Sequence, residues 1–381
     1  MITLYYLNLI KYRLLIIILF PLLTINVKGQ CNGSALLCNK KYNEVAYLTT
    51  HNAYNSGEDN FSLPNQNFNI TSQLNNGVRA LMIDVYDVLG TPTVYHGTSI
   101  LGSAPFLDYL SDIKTFLDLN PNEIVTIILE CYISANEIEY ELTQAGLMPL
   151  LYSHNTGNSW PTLQNMINNG ERLVIFSDVD DASANQSWYH YVWDHAVETH
   201  YTNHSQNDFS CDFNRGDSIN DLFILNHFVT NSVLGTGDEA QSAIVNANPY
   251  FINRVLQCQQ EKNKFPNFIT VDFYELGNCI DVVDQVNGII TSIDPEKTQL
   301  SEMIKVFPNP SKSNFSLELN KKIKPPLEIK IVNHQGKEIH AISNILERKI
   351  NITYPLDSGF YYIILIDKKN RIYNQKIINI N

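Results

Sequence analysis

The sequence predicts an α/β protein, a (β/α) barrel followed by a small all-β sandwich. Three observations predict it. From about Cys31 to Ile293, short solid runs of Val, Ile and Leu alternate with amphipathic stretches. Such runs fit strands buried on both faces of a parallel sheet. The 381 residues are 44% hydrophobic and 17% charged, which supplies a sizeable core and length for roughly two domains. Past residue 303 the pattern becomes short alternating strands broken by turn residues.

The chain begins with an expected signal peptide over residues 1–30. Lys11 and Arg13 precede an apolar run from Leu14 to Ile25, with Gly29 and Gln30 near the expected cut. That run is shorter than the ~20 residues that span a bilayer, and no later segment is long and apolar enough. Lys28-Gly29-Gln30 before Cys31 is a poor lipoprotein box, which argues against a lipid anchor. Export suits the six cysteines, an even number that suggests disulfides. Cys31 and Cys38 are close enough in sequence to pair, and Cys211 with Cys258 is the second expectation. Without a Cys-x-x-Cys or a paired His, their spacing carries no zinc signature.

Residues 31–293 form the expected barrel domain. Strand-like runs fall at 45–50, 79–85, 93–96, 124–131, 173–177, 222–227 and 268–273, with 193–199 as a candidate for a further stave. Amphipathic helices are expected at 106–119, ended by Asn120-Pro121, and at 137–145. Residues 294–303 read as a polar linker. The sandwich domain, 304–381, shows strands at 316–319, 327–332, 350–354, 361–367 and 373–378, with turns at Gln335-Gly336 and Asp357-Ser358-Gly359. The formal net charge of −13 disfavours nucleic acid as a partner and wide docking on anionic lipid.

In a barrel, functional residues collect where strands end. Here those ends carry His51 and Asn52, Asp84, His96, Glu130 and Asp272. Two histidines that titrate near neutrality suit base and acid roles across a phosphodiester. Carboxylates with an amide oxygen suit a hard divalent cation such as calcium.

Four segments, in order, carry a resemblance. They are Thr50-His51-Asn52-Ala53-Tyr54, Gly77 through Asp87 (with Met82-Ile83-Asp84), Tyr95-His96-Gly97 and Ile127-Ile128-Leu129-Glu130. Together they resemble the catalytic X domain of the phosphatidylinositol-specific phospholipases C. Pro266 through Tyr274 is similar to the single-domain secreted and plant-like branch. The resemblance implies a distorted TIM barrel and a two-step reaction. An inositol hydroxyl attacks the phosphorus, diacylglycerol leaves, and the cyclic phosphate is hydrolysed. It further implies His51 as base or phosphate contact, His96 as leaving-group acid and Asp272 as the group that orients an imidazole.

By the same resemblance Asn52, Asp84 and Glu130 match three of four calcium ligands of animal-type enzymes. The fourth, a Glu, is Met82 here, which cannot ligate a hard cation and leaves the base role to His51 or Asp84. Phe176 and Asp178 stand where lysines hold extra inositol phosphates, so the expected substrate is a plain or glycosylated phosphatidylinositol of a membrane. Arg172 and Tyr274 are the substrate-contact candidates, with strand capping and rim packing as their other readings. Residues 306–311 (Val-Phe-Pro-Asn-Pro-Ser), Phe315, and Gly359-Phe360-Tyr361-Tyr362 resemble a type A sorting domain of the type IX secretion system, which implies that machinery as a partner and a secreted or cell-surface protein. A β module that binds carbohydrate or protein is the other reading of that segment. The chain is expected to be a monomer. Rival functions are a glycerophosphodiesterase or sphingomyelinase-like phosphodiesterase, whose usual Glu-x-Asp pair Met82 breaks, and a non-catalytic barrel that binds lipid or glycan.

Overall fold

The computed structural model describes residues 30–289 and 304–379, apart from 182–183, 233–234, 313, 322, 334–337 and 369–371. The expected signal peptide, the linker 294–303 and the Gln335-Gly336 turn lie outside the described residues. Among the described residues, ten strands and seven α-helices precede the linker. The strands are β1 (Tyr47–Thr50), β2 (Ala80–Val88), β3 (Thr91–Val94), β4 (Ala104–Pro105), β5 (Val125–Tyr132), β6 (Leu173–Ser177), β7 (Tyr189–Tyr191), β8 (Ala196–Glu198), β9 (Leu222–Asn226) and β10 (Phe268–Val271). The helices are α1 (Ile70–Asn75), α2 (Phe106–Leu119), α3 (Ala135–Gln144), α4 (Leu163–Asn169), α5 (Glu239–Val245), α6 (Tyr250–Lys262) and α7 (Cys279–Val286).

Eight of these strands follow one path, β7-β6-β5-β2-β1-β10-β9-β8, and every pairing along it is parallel. The first and last strands of the barrel, β1 and β10, lie side by side with Thr50 opposite Val271. Among the described residues no ladder joins β7 to β8, so the barrel closes there by packing and not by hydrogen bonds. The solid apolar runs are explained by two separate cores. Residues of one parity, such as Leu48, Leu81, Ile83, Ile127, Leu129 and Ile269, pack outward under α2, α3, α6 and α7. Residues of the other parity, such as Tyr47, Ala80, Ile128, Val174, Phe176, Ile224 and Phe268, fill the interior. A strand buried on both faces shows no polar alternation.

Local signals set the helix ends. Ser134 caps α3 through the Glu137 amide in a reciprocal capping box. Thr162 caps α4, and Gly170, at φ 80°, ends it in the left-handed region. Two sequence expectations change. Residues 93–96 are not a stave: β3 folds back antiparallel on the long β2, with Val94 opposite Val85. The barrel reaches eight strands through β7, whose three residues carry too little pattern to stand out, and through β8 inside the expected 193–199 stretch. The disulfides Cys31–Cys38 and Cys211–Cys258 form as expected, while Cys131 and Cys279 are buried thiols.

After the linker come β11 (Ile304–Phe307), β12 (Asn314–Leu319), β13 (Leu327–Asn333), β14 (Glu338–Ile345), β15 (Lys349–Thr353), β16 (Gly359–Asp367) and β17 (Ile372–Asn379). They make two antiparallel sheets, β11-β12-β15 and β14-β13-β16-β17. Phe315, Leu317 and Ile352 of one sheet share a core with Ile329, Ile363 and Leu365 of the other. Five of these strands lie where the alternation predicted them. No helix among the described residues is long and apolar enough to cross a membrane.

The interior layer is held by aromatic packing. Phe268 is fully buried, 5.6 Å from the Tyr47 ring and 6.2 Å from Phe176. Phe268→Ala is expected to lower unfolding free energy by about 3–5 kcal/mol, measured from urea midpoints at constant slope.

Candidate functional site

The parallel register brings one polar group from each of seven adjacent strands to the same mouth. In sheet order these are Asp178, Glu130, Asp84, His51, Asp272, Asn226 and Glu198. Asp84 on β2 stands opposite Glu130 on β5. Leu129 stands opposite Ser177, which puts Asp178 level with Glu130.

His51 follows β1, and its amide still bonds the Val271 carbonyl. Its Nδ1 lies 3.0 Å from Asp272 Oδ1. The imidazole therefore donates from Nδ1 and keeps its lone pair on Nε2 in the neutral form. The ring stacks on Phe228 at 3.9 Å and 11°. Asp272 is fully buried, and its second oxygen accepts from Asn65 Nδ2 at 3.0 Å. Asn65 also accepts from Asn52 and Asn55. Gln66 donates to the carbonyls of His51 and Val271. The ring is thus fixed from behind by an amide network. Burial pushes the His51 pKa down, but the Asp272 charge and hydrogen bond, with Asp84 and Glu130 further off, push it up, and the net is above the ordinary value.

His96 reaches the mouth by the β2–β3 hairpin. It is half-buried; burial first and the His51 charge second push its pKa below the ordinary value. The two histidines are displaced in opposite directions, so the two rings differ in their tendency to hold a proton. Tyr54 ties this hairpin to the sheet, its hydroxyl lying 2.9 Å from both Asp84 Oδ2 and the Tyr95 carbonyl.

Asp84 is 6% exposed. Burial, then the Glu130 charge, raises its pKa to about 7. Glu130 is exposed and accepts from Tyr132 at 2.7 Å. Tyr132, Tyr86 and Tyr95 stack face to face beside it, at 4.3 and 4.0 Å. Among the described residues no group of three or more His, Cys, Asp or Glu is arranged around a metal position. The all-oxygen pair Asp84 and Glu130 fits a hard cation nonetheless, because two carboxylates side by side, one held against ionisation, are what such an ion relieves. Asn52, at φ 46° and 2% exposed, spends its amide N–H on Asn65. Met82 faces the interior core beside Ile128, as its apolar side chain requires.

The opposite wall is absent from the sequence expectations. Glu198 accepts from Arg215 Nε at 2.5 Å and from Asn226 at 3.0 Å. The Arg215 guanidinium lies 4.4 Å over Trp193 and 4.8 Å over Tyr201. Gly216 permits this loop, at φ 82°, to run against the Ala196 carbonyl, where any Cβ would collide.

Two expected substrate contacts are elsewhere. Arg172 precedes β6 at the far end of the barrel, and its guanidinium donates to the Leu117 and Asn120 carbonyls, closing the C-terminus of α2. Tyr274 is 1% exposed in the outer core, edge-on to Phe68, and accepts from Asn76. Tyr54, Asn65, Phe228 and Arg215 gave no separate signal. Tyr54 sits inside the first motif, but only the fold shows what it touches.

Removing the Asp272 charge leaves burial as the main influence on His51. Asp272→Asn is therefore expected to move the His51 pKa from above 6.5 to below it, read by NMR titration of the imidazole protons.

The PI-PLC X 1 family model matches residues 37–287, and a secretion system C-terminal sorting domain matches 305–381. A PI-PLC X domain-containing protein of Arabidopsis thaliana is 29% identical over 289 residues, 68% of this chain and 66% of that protein. An uncharacterized secreted protein of Arthroderma benhamiae is 26% identical over 69% of this chain and 64% of its own length. The chain thus spans slightly under two thirds of these two relatives. Among solved structures, a mutant phosphatidylinositol-specific phospholipase C from Staphylococcus aureus aligns over 65% of this chain and 94% of its own, at 14% identity and a TM-score of 0.46. With residues 37–287, two thirds of the chain, inside the matched model, this chain belongs to the PI-PLC X family.

Proposed function

We propose that the protein is an exported phosphoric diester hydrolase or lyase that cleaves phosphatidylinositol-type lipids by acid–base catalysis. The observation that carries the reading is the oriented His51–Asp272 pair facing His96 across a mouth lined with carboxylates. His51 Nε2 takes the proton from the attacking inositol hydroxyl while Asp272 stabilises the imidazolium that forms. The hydroxyl oxygen bonds to phosphorus, the bond to the diacylglycerol oxygen breaks, and His96 protonates that oxygen. A cyclic inositol phosphate results. In its hydrolysis the roles reverse, with water in place of the leaving alcohol.

Asp84 and Glu130 would hold a calcium ion, with Asn52 as a further oxygen donor. Bound there, the ion supplies charge to stabilise the phosphoryl oxygens and cancels the field of two carboxylates. Without such compensation, Asp84 would meet a substrate phosphate as a like charge.

The charges of the mouth support this substrate class. Asp84, Glu130, Asp178, Glu198 and Asp272 line it, and the cation among them, Arg215, is already paired with Glu198. Extra phosphates on the inositol ring would be repelled, whereas free hydroxyls find acceptors. The sorting domain supports passage through the type IX machinery to the cell surface or medium.

The acid role has a distinctive test. His96→Ala should lower kcat by about 10²–10⁴ on phosphatidylinositol. On the nitrophenyl ester of inositol phosphate, whose leaving group needs no proton, the loss should be far smaller. His51→Ala should lose activity on both. Equal losses for His96→Ala on the two substrates overturn its role as acid.

The cation is tested without turnover. Asp84 is ionised above pH ~7 and protonated well below it, so calcium should raise the melting temperature at pH 8 and much less at pH 5. Asp84→Asn should remove most of that rise. An equal rise in the variant overturns the site.

A further inference from the structure

Outside the mouth, Arg254, like Arg172, is a buried cation with no ion pair among the described residues. Arg254 lies on α6 and is 6% exposed. Its Nη1 donates to His227 Nδ1 at 3.2 Å and its Nη2 to the Ser210 carbonyl at 3.1 Å. The guanidinium rests 4.3 Å over the Phe209 ring. Its Nε has no hydrogen-bond partner. His227 brings no negative charge, because it donates from Nε2 to the Val245 carbonyl and offers only a neutral lone pair. Among the described residues no Asp or Glu forms an ion pair with Arg254. Burial lowers the Arg254 pKa to about 10, which leaves it a cation at neutral pH.

A buried charge is ordinarily paired. Here Arg254 instead forms part of the wall of a cavity of about 230 Å³, shared with Phe209, Ser210, Cys211, Tyr250, Asn253 and Gln257. The cavity is held together covalently. The Cys211–Cys258 disulfide pins the loop that supplies Phe209 and Ser210 to the helix that supplies Arg254 and Gln257. Tyr250 adds a second tie, donating to the Gln206 carbonyl at 2.9 Å. Its lining residues include a cation, amides and hydroxyls and no carboxylate, with Glu261 accepting from the Gln257 amide at its edge.

We propose that this cavity is a binding site for a small oxyanion, a phosphate group, held by Arg254 and separate from the catalytic mouth. The site takes the phosphate either as the free ion or as the headgroup of a phosphomonoester lipid. Arginine suits it, because its planar fork matches phosphate and carries charge at every physiological pH. The proposal does not depend on the catalytic reading, since none of these residues belongs to the mouth.

The full chain is melted in sodium phosphate and in sodium chloride of equal ionic strength. Phosphate at about ten times its Kd should raise the midpoint by roughly 3–6 °C over chloride, with saturation. Asn253→Asp and Gln257→Glu place a carboxylate on the cavity wall at exposed helix positions. At least one of them should melt higher than wild type in chloride and lose the phosphate response, because the new carboxylate becomes the counter-ion. Sedimentation with phosphatidylcholine vesicles, with and without phosphatidic acid, separates the two sources. Binding that needs phosphatidic acid, and that free phosphate displaces, assigns the headgroup; its absence beside a phosphate melting shift assigns the free ion. Equal midpoints in phosphate and chloride, or a full phosphate response in both variants, overturn the site.

Discussion

The hydrogen bond from His51 to Asp272 joins residues 221 positions apart, and most of the barrel exists to make it possible. His51 ends the first stave and Asp272 ends the last. They meet because β1 and β10 lie side by side in parallel register, so that Thr50 is opposite Val271 and the next residues project from one rim. Parallel neighbours need long crossovers, and these supply the helices that cover the sheet. The interior aromatic layer of Tyr47, Phe176 and Phe268 then sets the distance between opposite walls below the rim. A slip of one residue between β1 and β10 would turn one partner of the pair out of the mouth.

How far the site was legible follows from where each signal resides. His51, Asp84, His96 and Glu130 were readable because they end conspicuous apolar runs and sit in dense local motifs. Asp272 was readable for the same reason at the far end of the barrel. Asn65 and Phe228 lie in loops with no periodicity, and their roles come from contacts with segments more than 170 residues away or on another strand. For Arg172 the capping reading, and not the substrate one, matches the fold. A basic residue beside a strand reads alike at either end, yet Arg172 stands at the start of β6, where the carbonyls of α2 take its donors. Tyr274 misled by position, since one residue past the turn at Phe273 the chain has left the rim for the outer core.

The closure of the barrel is uneven, and the unevenness has a chemical signature. Between β7 and β8, where no ladder forms among the described residues, three imidazoles take the place of backbone pairing. His154 stacks on Trp160 at 3.7 Å, and His190 and His195 meet edge to face at 5.4 Å. His190 is satisfied as a neutral ring, donating to the Ile175 carbonyl and accepting from the His154 amide. Burial holds His154 and His190 near pKa 4. These rings act as flat, weakly polar spacers in a seam too irregular for a strand pair. They differ from His51, which has a buried carboxylate beside it. The same side chain is held neutral by burial in one environment and held above its ordinary pKa by a carboxylate in the other.

That contrast bears on the mouth as a whole. Asp84 and Glu130 face each other across adjacent strands, a placement that costs stability whenever both are ionised. A fold under selection for stability alone would put an apolar residue at one of them, as it does two positions earlier, where Met82 packs against Ile128. Both carboxylates are kept, so the pair carries a stability cost that an apolar residue at either position would remove. Tyr54 limits the cost meanwhile by donating to Asp84, and the same hydroxyl reaches the Tyr95 carbonyl beside His96. One side chain thus touches both Asp84 and the segment that carries His96.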